Sequence, residues 1–205
     1  TNIVTRNARP LGAGERRPVV LDDSAERVVA TRSTIAFAGN MWIYLLRHGI
    51  AEDSRSGQPD EQRALTQEGW DRLEIAAKTW QKLVPTPELV LTSPLLRARE
   101  TAQVLAKAVG FAGELRHEDT LVPHVRPEQT ITVLEAELLS QTASLAVVGH
   151  EPHLGYLLGS LLTGHPHISI PFQRGSLVGV ETESTSNLIA GLRFSLGQKL
   201  CAKLT

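Results

Sequence analysis

Trp42-Ile43-Tyr44-Leu45-Leu46-Arg47-His48-Gly49 decides the reading of this chain. Five apolar residues in a row fit a strand buried on both faces of a parallel sheet, and the run stops at two basic residues and a glycine. In open α/β sheets ligands bind just beyond the carboxyl ends of the strands, so Arg47 and His48 stand where a site belongs. An isolated Arg-His-Gly would be no more than the place where a strand meets solvent, because short motifs match by chance. The rest of the chain gives this one company.

Downstream comes a polar loop, Ile50 to Ala64, rich in Gly, Pro, Ser and Asp. Thr66 then reads as the N-cap of an amphipathic helix whose inner stripe is Trp70, Leu73, Ala77, Trp80 and Val84, with Pro85 and Pro87 ending it. Glu88 to Thr92 reads as a second strand. It runs into Ser93-Pro94-Leu95-Leu96-Arg97-Ala98-Arg99-Glu100-Thr101-Ala102, with Ser93 expected to cap a helix and Pro94 to take its first position. That puts Arg97 in the first turn, off the apolar stripe. A strand end, a helix N-terminus and an arginine together describe an anion site.

Glu114 to His117 reads as a short strand, and Pro127 opens a helix with Ile131, Leu134 and Leu138 inward. Ser144 to Val148 is a third long buried strand, ending in Gly149-His150-Glu151-Pro152 before a helix with Leu154, Leu158 and Leu161 inward. Ser176 to Glu181 and Leu188 to Leu196 read as a hairpin on the sheet's edge. The expected fold is therefore α/β: a three-layer α/β/α sandwich, a mostly parallel central sheet with helices on both faces. Right-handed crossovers place successive strand ends on one rim, where Arg47-His48, Arg97 and His150 can converge. Two arginines and two histidines make a pocket for a tetrahedral dianion, since arginine offers a planar fork of donors and stays charged.

Composition sets bounds on function. The 205 residues suffice for one domain with a proper core, and 41% hydrophobic and 21% charged content are ordinary for a globular chain. A net charge of −1 argues against a nucleic-acid binder, so anion affinity must come from a local cluster. No stretch approaches the length of a membrane span. The single cysteine, Cys201, leaves no internal disulfide, which suits a reducing cytoplasm.

Residues 1–40 differ from the rest. They hold six arginines, no lysine, four acids and no periodic apolar face, and are read as a disordered segment or a non-native N-terminal extension. The only methionine, Met41, directly precedes the first strand and is read as the native start. Residues 41–205 then form the domain, with 15 basic and 18 acidic residues, or about −3.

Four stretches in this order resemble the histidine phosphatase (phosphoglycerate mutase-like) superfamily, and within it the small SixA-type phosphohistidine phosphatases. They are Leu46 to Gly49, Arg63 to Gly69, Ser93 to Ala102, and Val148 to Leu154. The resemblance covers about residues 41 to 200. It implies that His48 is the nucleophile that becomes phosphorylated, that Arg47, Arg97 and His150 complete the phosphate pocket, and that Arg63 and Gly49 contribute to substrate binding. It implies no metal and no cofactor, and as partner either a phosphohistidine-bearing phosphotransfer protein or a small phosphate ester. The chemistry agrees. A nucleophilic histidine must be neutral, and adjacent cations press its proton off.

The chain departs from larger members of that family. Ser54 lies where mutases and many acid phosphatases place an asparagine, and no long insertion follows the second strand to form a lid. Glu52, Asp53, Glu118 and Glu151 are all open as general acid. An undetermined acid matters least when the leaving group is a protonated imidazole, which favours a phosphoramidate on a protein over an alkyl ester. A metal cluster drawn from His117, His124, His150, His153, His165 and His167 lacks a His-Glu-x-x-His pattern, and Pro152 and Pro166 disturb its spacing. A non-catalytic phosphate-binding module would keep the arginines but has no need of His48. Arg99 reads as a surface residue, His153 as a polar helix start, and Trp70 and Trp80 as core.

Overall fold

The fold is that of a computed structural model describing residues 40–54, 56–182 and 188–205. The reading of residues 1–40 as a disordered or non-native extension lies, apart from Asn40, outside the described residues. Six strands and five helices alternate: β1 (Trp42–Arg47), α1 (Gln67–Leu83), β2 (Leu89–Thr92), α2 (Leu96–Val109), β3 (Arg116–His117), α3 (Pro127–Leu139), β4 (Ser144–Gly149), α4 (His153–Thr163), β5 (Leu177–Thr182), β6 (Ala190–Leu196) and α5 (Gln198–Leu204). The strands form one sheet in the order β3-β2-β4-β1-β5-β6. β3, β2, β4 and β1 run parallel; β5 pairs antiparallel with β1, and β6 with β5.

The alternation of side chains along β1 divides the core in two. Tyr44 and Leu46 face α1, α2 and α5, packing with Leu73, Trp80, Ala98, Leu105 and Cys201. Ile43 and Leu45 face the opposite way, toward Leu134 of α3 and Leu154, Leu157 and Leu161 of α4. Burying both faces explains why β1 and β4 read as unbroken apolar runs. The three-layer α/β/α sandwich follows. No helix among the described residues is long and apolar enough to cross a membrane.

Register levels the strand ends. Arg47 lies opposite Gly149, and Leu46 and Thr92 both lie opposite Val148. The ladder continues one residue further, His48 N donating to Gly149 O at 3.0 Å and Ser93 N to Val148 O at 2.9 Å. His48, Ser93 and His150 thus leave the sheet at one level.

Several local expectations change. Thr66 caps α1 as expected, its hydroxyl accepting from Gly69 N at 3.0 Å. The inner face of that helix is Leu73, Ala76, Thr79 and Trp80, with Trp70 and Ala77 half-buried at its margin. α2 starts at Leu96 with Leu95 as its cap, not at Pro94, because the Ser93 hydroxyl is engaged elsewhere and reaches Leu95 N only at 3.4 Å. α5 was not anticipated: seven residues after Gly197 are too few to show a period. Thr79 Oγ1 of α1 donates to Cys201 O at 3.1 Å and fastens α5 down.

Candidate active site

His48 follows the last residue of β1 and is 8% exposed. Its Nδ1 lies 2.7 Å from the carbonyl oxygen of Gly49. A carbonyl only accepts, so Nδ1 carries the proton and Nε2 is left with the lone pair. Burial, opposed by that carbonyl bond and reinforced by Arg97, Arg47 and Arg174, pushes the imidazole pKa from 6.5 down to about 4. The ring is neutral at pH 7. Gly49 is held beneath it, its N–H donating to Thr101 Oγ1 at 3.1 Å, and a Cβ at Gly49 would stand 2.7 Å from Leu73 Cδ1. Its place is therefore to orient the imidazole.

His150, 1% exposed, stacks at a tilt on His48 with ring centroids 4.9 Å apart. Its Nε2 is 2.8 Å from Ser93 Oγ, while Nδ1 is buried without a partner. Ser93 Oγ also accepts from Leu95 N–H at 3.4 Å, so the hydroxyl ties the His150 ring to the start of α2. Burial first, then His48 and Arg97, pushes the His150 pKa down to about 2. An arriving dianion reverses that balance by favouring the charged ring.

Arg97 sits in the first turn of α2, as expected, but is only 4% exposed. Its guanidinium donates to Asp60 O at 2.8 Å and Asp60 Oδ2 at 2.9 Å. Asp60 also takes Arg63 Nη1 at 2.7 Å. Burial works to raise the Asp60 carboxyl pKa, but the two arginines win and hold it below its usual value. Arg63 thus reaches the site's margin by way of Asp60, with Nε fixed on Glu52 O at 2.7 Å. Arg47 Nη1 donates to Phe172 O at 2.7 Å, and its Nε is buried without a partner. Two groups of the cluster thus keep buried nitrogens without a partner, Arg47 Nε and His150 Nδ1.

Of the residues picked out in the sequence, Arg47, His48, Arg97 and His150 come together at the rim; Arg63 stands outside them. Four contributors were missed. Ser93 and Thr101 lay within a quoted stretch but carried no separate signal, and Asp60 was hidden in a polar loop. Arg174 precedes β5, and an antiparallel strand beside β1 must begin at the rim where β1 ends, which is the signal that could have found it. The four acids open as proton donor fare unevenly. Glu151 Oε1 accepts from Phe172 N at 3.1 Å, Glu118 Oε1 from Thr120 N at 3.2 Å and Glu52 Oε2 from Gln58 at 3.4 Å, while Asp53 is exposed. His153, read as a polar helix start, is the first residue of α4 and is buried, joining Thr130 Oγ1 and Val125 O at 3.0 and 2.8 Å. Among the described residues no three His, Cys, Asp or Glu side chains group as metal ligands.

A neutral imidazole facing three guanidinium groups is suited to accept a phosphoryl group. Residues 43–122 match the Histidine phosphatase superfamily (branch 1). The phosphohistidine phosphatase SixA of Escherichia coli is 30% identical over 128 residues, spanning 60% of this chain and 76% of that protein. The chain belongs to the histidine phosphatase superfamily. An uncharacterized protein of Picosynechococcus is 32% identical over 146 residues, spanning 69% of this chain and 86% of its own length. Among solved structures, the protein histidine phosphatase SixA complexed with tungstate superposes with a TM-score of 0.70 at 23% identity, covering 78% of this chain and 98% of that one. A mycobacterial glucosyl-3-phosphoglycerate phosphatase superposes at 0.57 with 16% identity, covering 75% and 97%. The fold is shared across protein and small-molecule phosphatases, and the chain is a phosphatase of this superfamily.

Proposed function

We propose that this phosphatase removes the phosphoryl group from phosphohistidine on a phosphotransfer protein, without a metal, through a phosphohistidine on its own His48. The observation that carries the reading is the Nδ1–H of His48 committed to Gly49 O, which leaves a lone pair on Nε2 of a buried ring whose proton affinity Arg97, Arg47 and Arg174 lower further. In the first step Nε2 attacks phosphorus as the P–N bond to the substrate imidazole breaks. That ring leaves neutral, because its second nitrogen already carries a proton, or takes one from water. Water then attacks phosphorus, the Nε2–P bond breaks, and inorganic phosphate departs with the proton of the water on phosphate.

The charge that spreads over the three equatorial oxygens meets the guanidinium groups of Arg47 and Arg97 and the ring of His150, which such a charge favours in its protonated form. Three arginines supply the positive charge that a metal would bring. The substrate class is supported by the kinship to a phosphohistidine phosphatase and by a leaving group that needs no strong acid, in a site where Glu151 and Glu118 accept from backbone and Asp60 is held by two arginines. A reducing cytoplasmic setting belongs to the same reading, with Cys201 buried and free.

The test is phosphate release from a phosphohistidine-bearing phosphotransfer domain in EDTA, by wild type and His48→Ala. The expected result is release by wild type, a fall of several orders of magnitude in the variant, and a phosphoenzyme that is acid-labile and base-stable. No release by wild type beside efficient hydrolysis of small phosphate esters would replace the protein substrate with a small one. Release undiminished in His48→Ala would remove the nucleophile assigned here.

A further inference from the structure

A depression opens beside Arg47 and Ile50, at the margin of the phosphate pocket. It is a cavity of about 360 Å³ bounded by the end of β1, α1, the segment before β5 and the start of α5. Its walls include Arg47, Arg72, Arg174 and Lys199, with Gln173 and Gln198, and among the described residues no carboxylate lines it. In a chain of net charge −1, four cations around one depression are a local reversal of sign. Arg72 shares its charge with Glu68 at 2.5 Å, whereas Arg174 and Lys199 form no ion pair among the described residues.

The segment that carries Arg174 is fastened on both sides. Gly175 N–H points at Arg47 O at 2.9 Å and His48 O at 3.1 Å, and Phe172 O receives Arg47 Nη1. Gly175 has φ of +66°, and a Cβ there would stand 2.1 Å from Gln198 Nε2, so the segment rests directly on α5. Arg174 therefore belongs to both places. It stands near enough to His48 and Arg47 to lower the proton affinity of each, and it lines the depression.

The two sites differ in what they suit. Around His48 the groups are buried, with Arg97 4% and His150 1% exposed, as desolvated binding of a single anion requires. In the depression the cations come from four separate segments, and Arg72, Arg174 and Lys199 are exposed. Solvated charges spread in that way match several separated carboxylates, and steer the encounter with a surface of opposite sign. We propose that this basic depression docks the acidic surface of the protein that carries the phosphohistidine, holding two or more of its carboxylates while the phosphoryl group lies against His48. This rests on the protein-phosphohistidine reading above.

The experiment compares wild type with the double variant Arg72→Glu, Lys199→Glu on two donors: a phosphotransfer domain whose phosphohistidine is ringed by Asp and Glu, and phosphoramidate, which has no carboxylate. On the domain, kcat/KM falls roughly ten- to hundredfold through KM, and the ratio of domain to phosphoramidate efficiency falls with it. Salt weakens the wild type on the domain and weakens the variant much less. The neutral pair Arg72→Gln, Lys199→Gln moves in the same direction by less, and Lys82→Glu, in the last turn of α1, leaves both activities unchanged. An unaltered domain-to-phosphoramidate ratio in the double variant, with wild type still dephosphorylating the domain, overturns the docking site and spares the function. A wild type that ignores the domain sinks both. If it then hydrolyses an ester bearing a second anionic group, and the double variant does not, the occupant is a small anion and the assignment to a partner is overturned.

Discussion

Lowering the pH tests the burial and charge around His48 without touching a contact. With its folded pKa near 4 and its unfolded value near 6.5, the unfolded chain binds a proton at this position between those limits and the folded chain does not. Stability then rises with pH across that window, so acid removes it. At about pH 5 the His48 contribution alone costs about 2 kcal/mol relative to about pH 7.5, the full loss of roughly 3 kcal/mol being reached only below the folded pKa. His150 and His153 are also lowered, mainly by burial, and steepen the same slope. Urea unfolding of wild type and His48→Gln at the two pH values isolates the His48 part as a difference of differences. The variant is expected to lose about 2 kcal/mol less on acidification. Equal losses in both would mean that His48 titrates as a solvated imidazole, and the neutral, cation-ringed nucleophile would be refuted.

Arg97→Ala removes a guanidinium from the developing phosphoryl charge and frees Asp60 beside the site; kcat on any phosphoryl donor is expected to fall by about 10²–10³-fold, read by phosphate release. Ser93→Ala leaves both ring nitrogens of a buried histidine without a protein partner. It should cost about 1–2 kcal/mol in denaturant unfolding and lower kcat with little change in KM, since the nucleophile and the arginines remain. Gly49→Ala forces its Cβ against Leu73, itself fully buried, and is expected to cost about 1–2 kcal/mol and to slow phosphoryl transfer by tilting the carbonyl that orients His48. Thermal unfolding and single-turnover kinetics check the two parts.

The strands were legible because burial on two faces writes itself as unbroken apolar runs, and Trp42 to Leu46 and Ser144 to Val148 have no other reading. The site followed, since a parallel sheet must bring the residues after such strands to one rim. What failed to show was either short or supplied by tertiary contact. α5 is seven residues long, and the start of α2 was misplaced because local capping lost Ser93 to a histidine 57 residues away. Arg174 sits in an irregular segment and Asp60 opens a three-residue 3-10 turn, their positions fixed by Gly175 and by two arginines, contacts that no local period encodes.

The rungs that lock His48 and Ser93 to their neighbours have a dynamic meaning. The His48 amide is bonded to Gly149 O and the Ser93 amide to Val148 O, both on the central strand of the parallel half. Neither can be released without parting β1 or β2 from β4, so these two amides should exchange with deuterium only as slowly as the core itself opens. Asp60, whose side chain is 51% exposed, has no such anchor in the sheet. The protein keeps its proposed nucleophile on the slowest clock it has and leaves the carboxylate paired with Arg97 on a faster one.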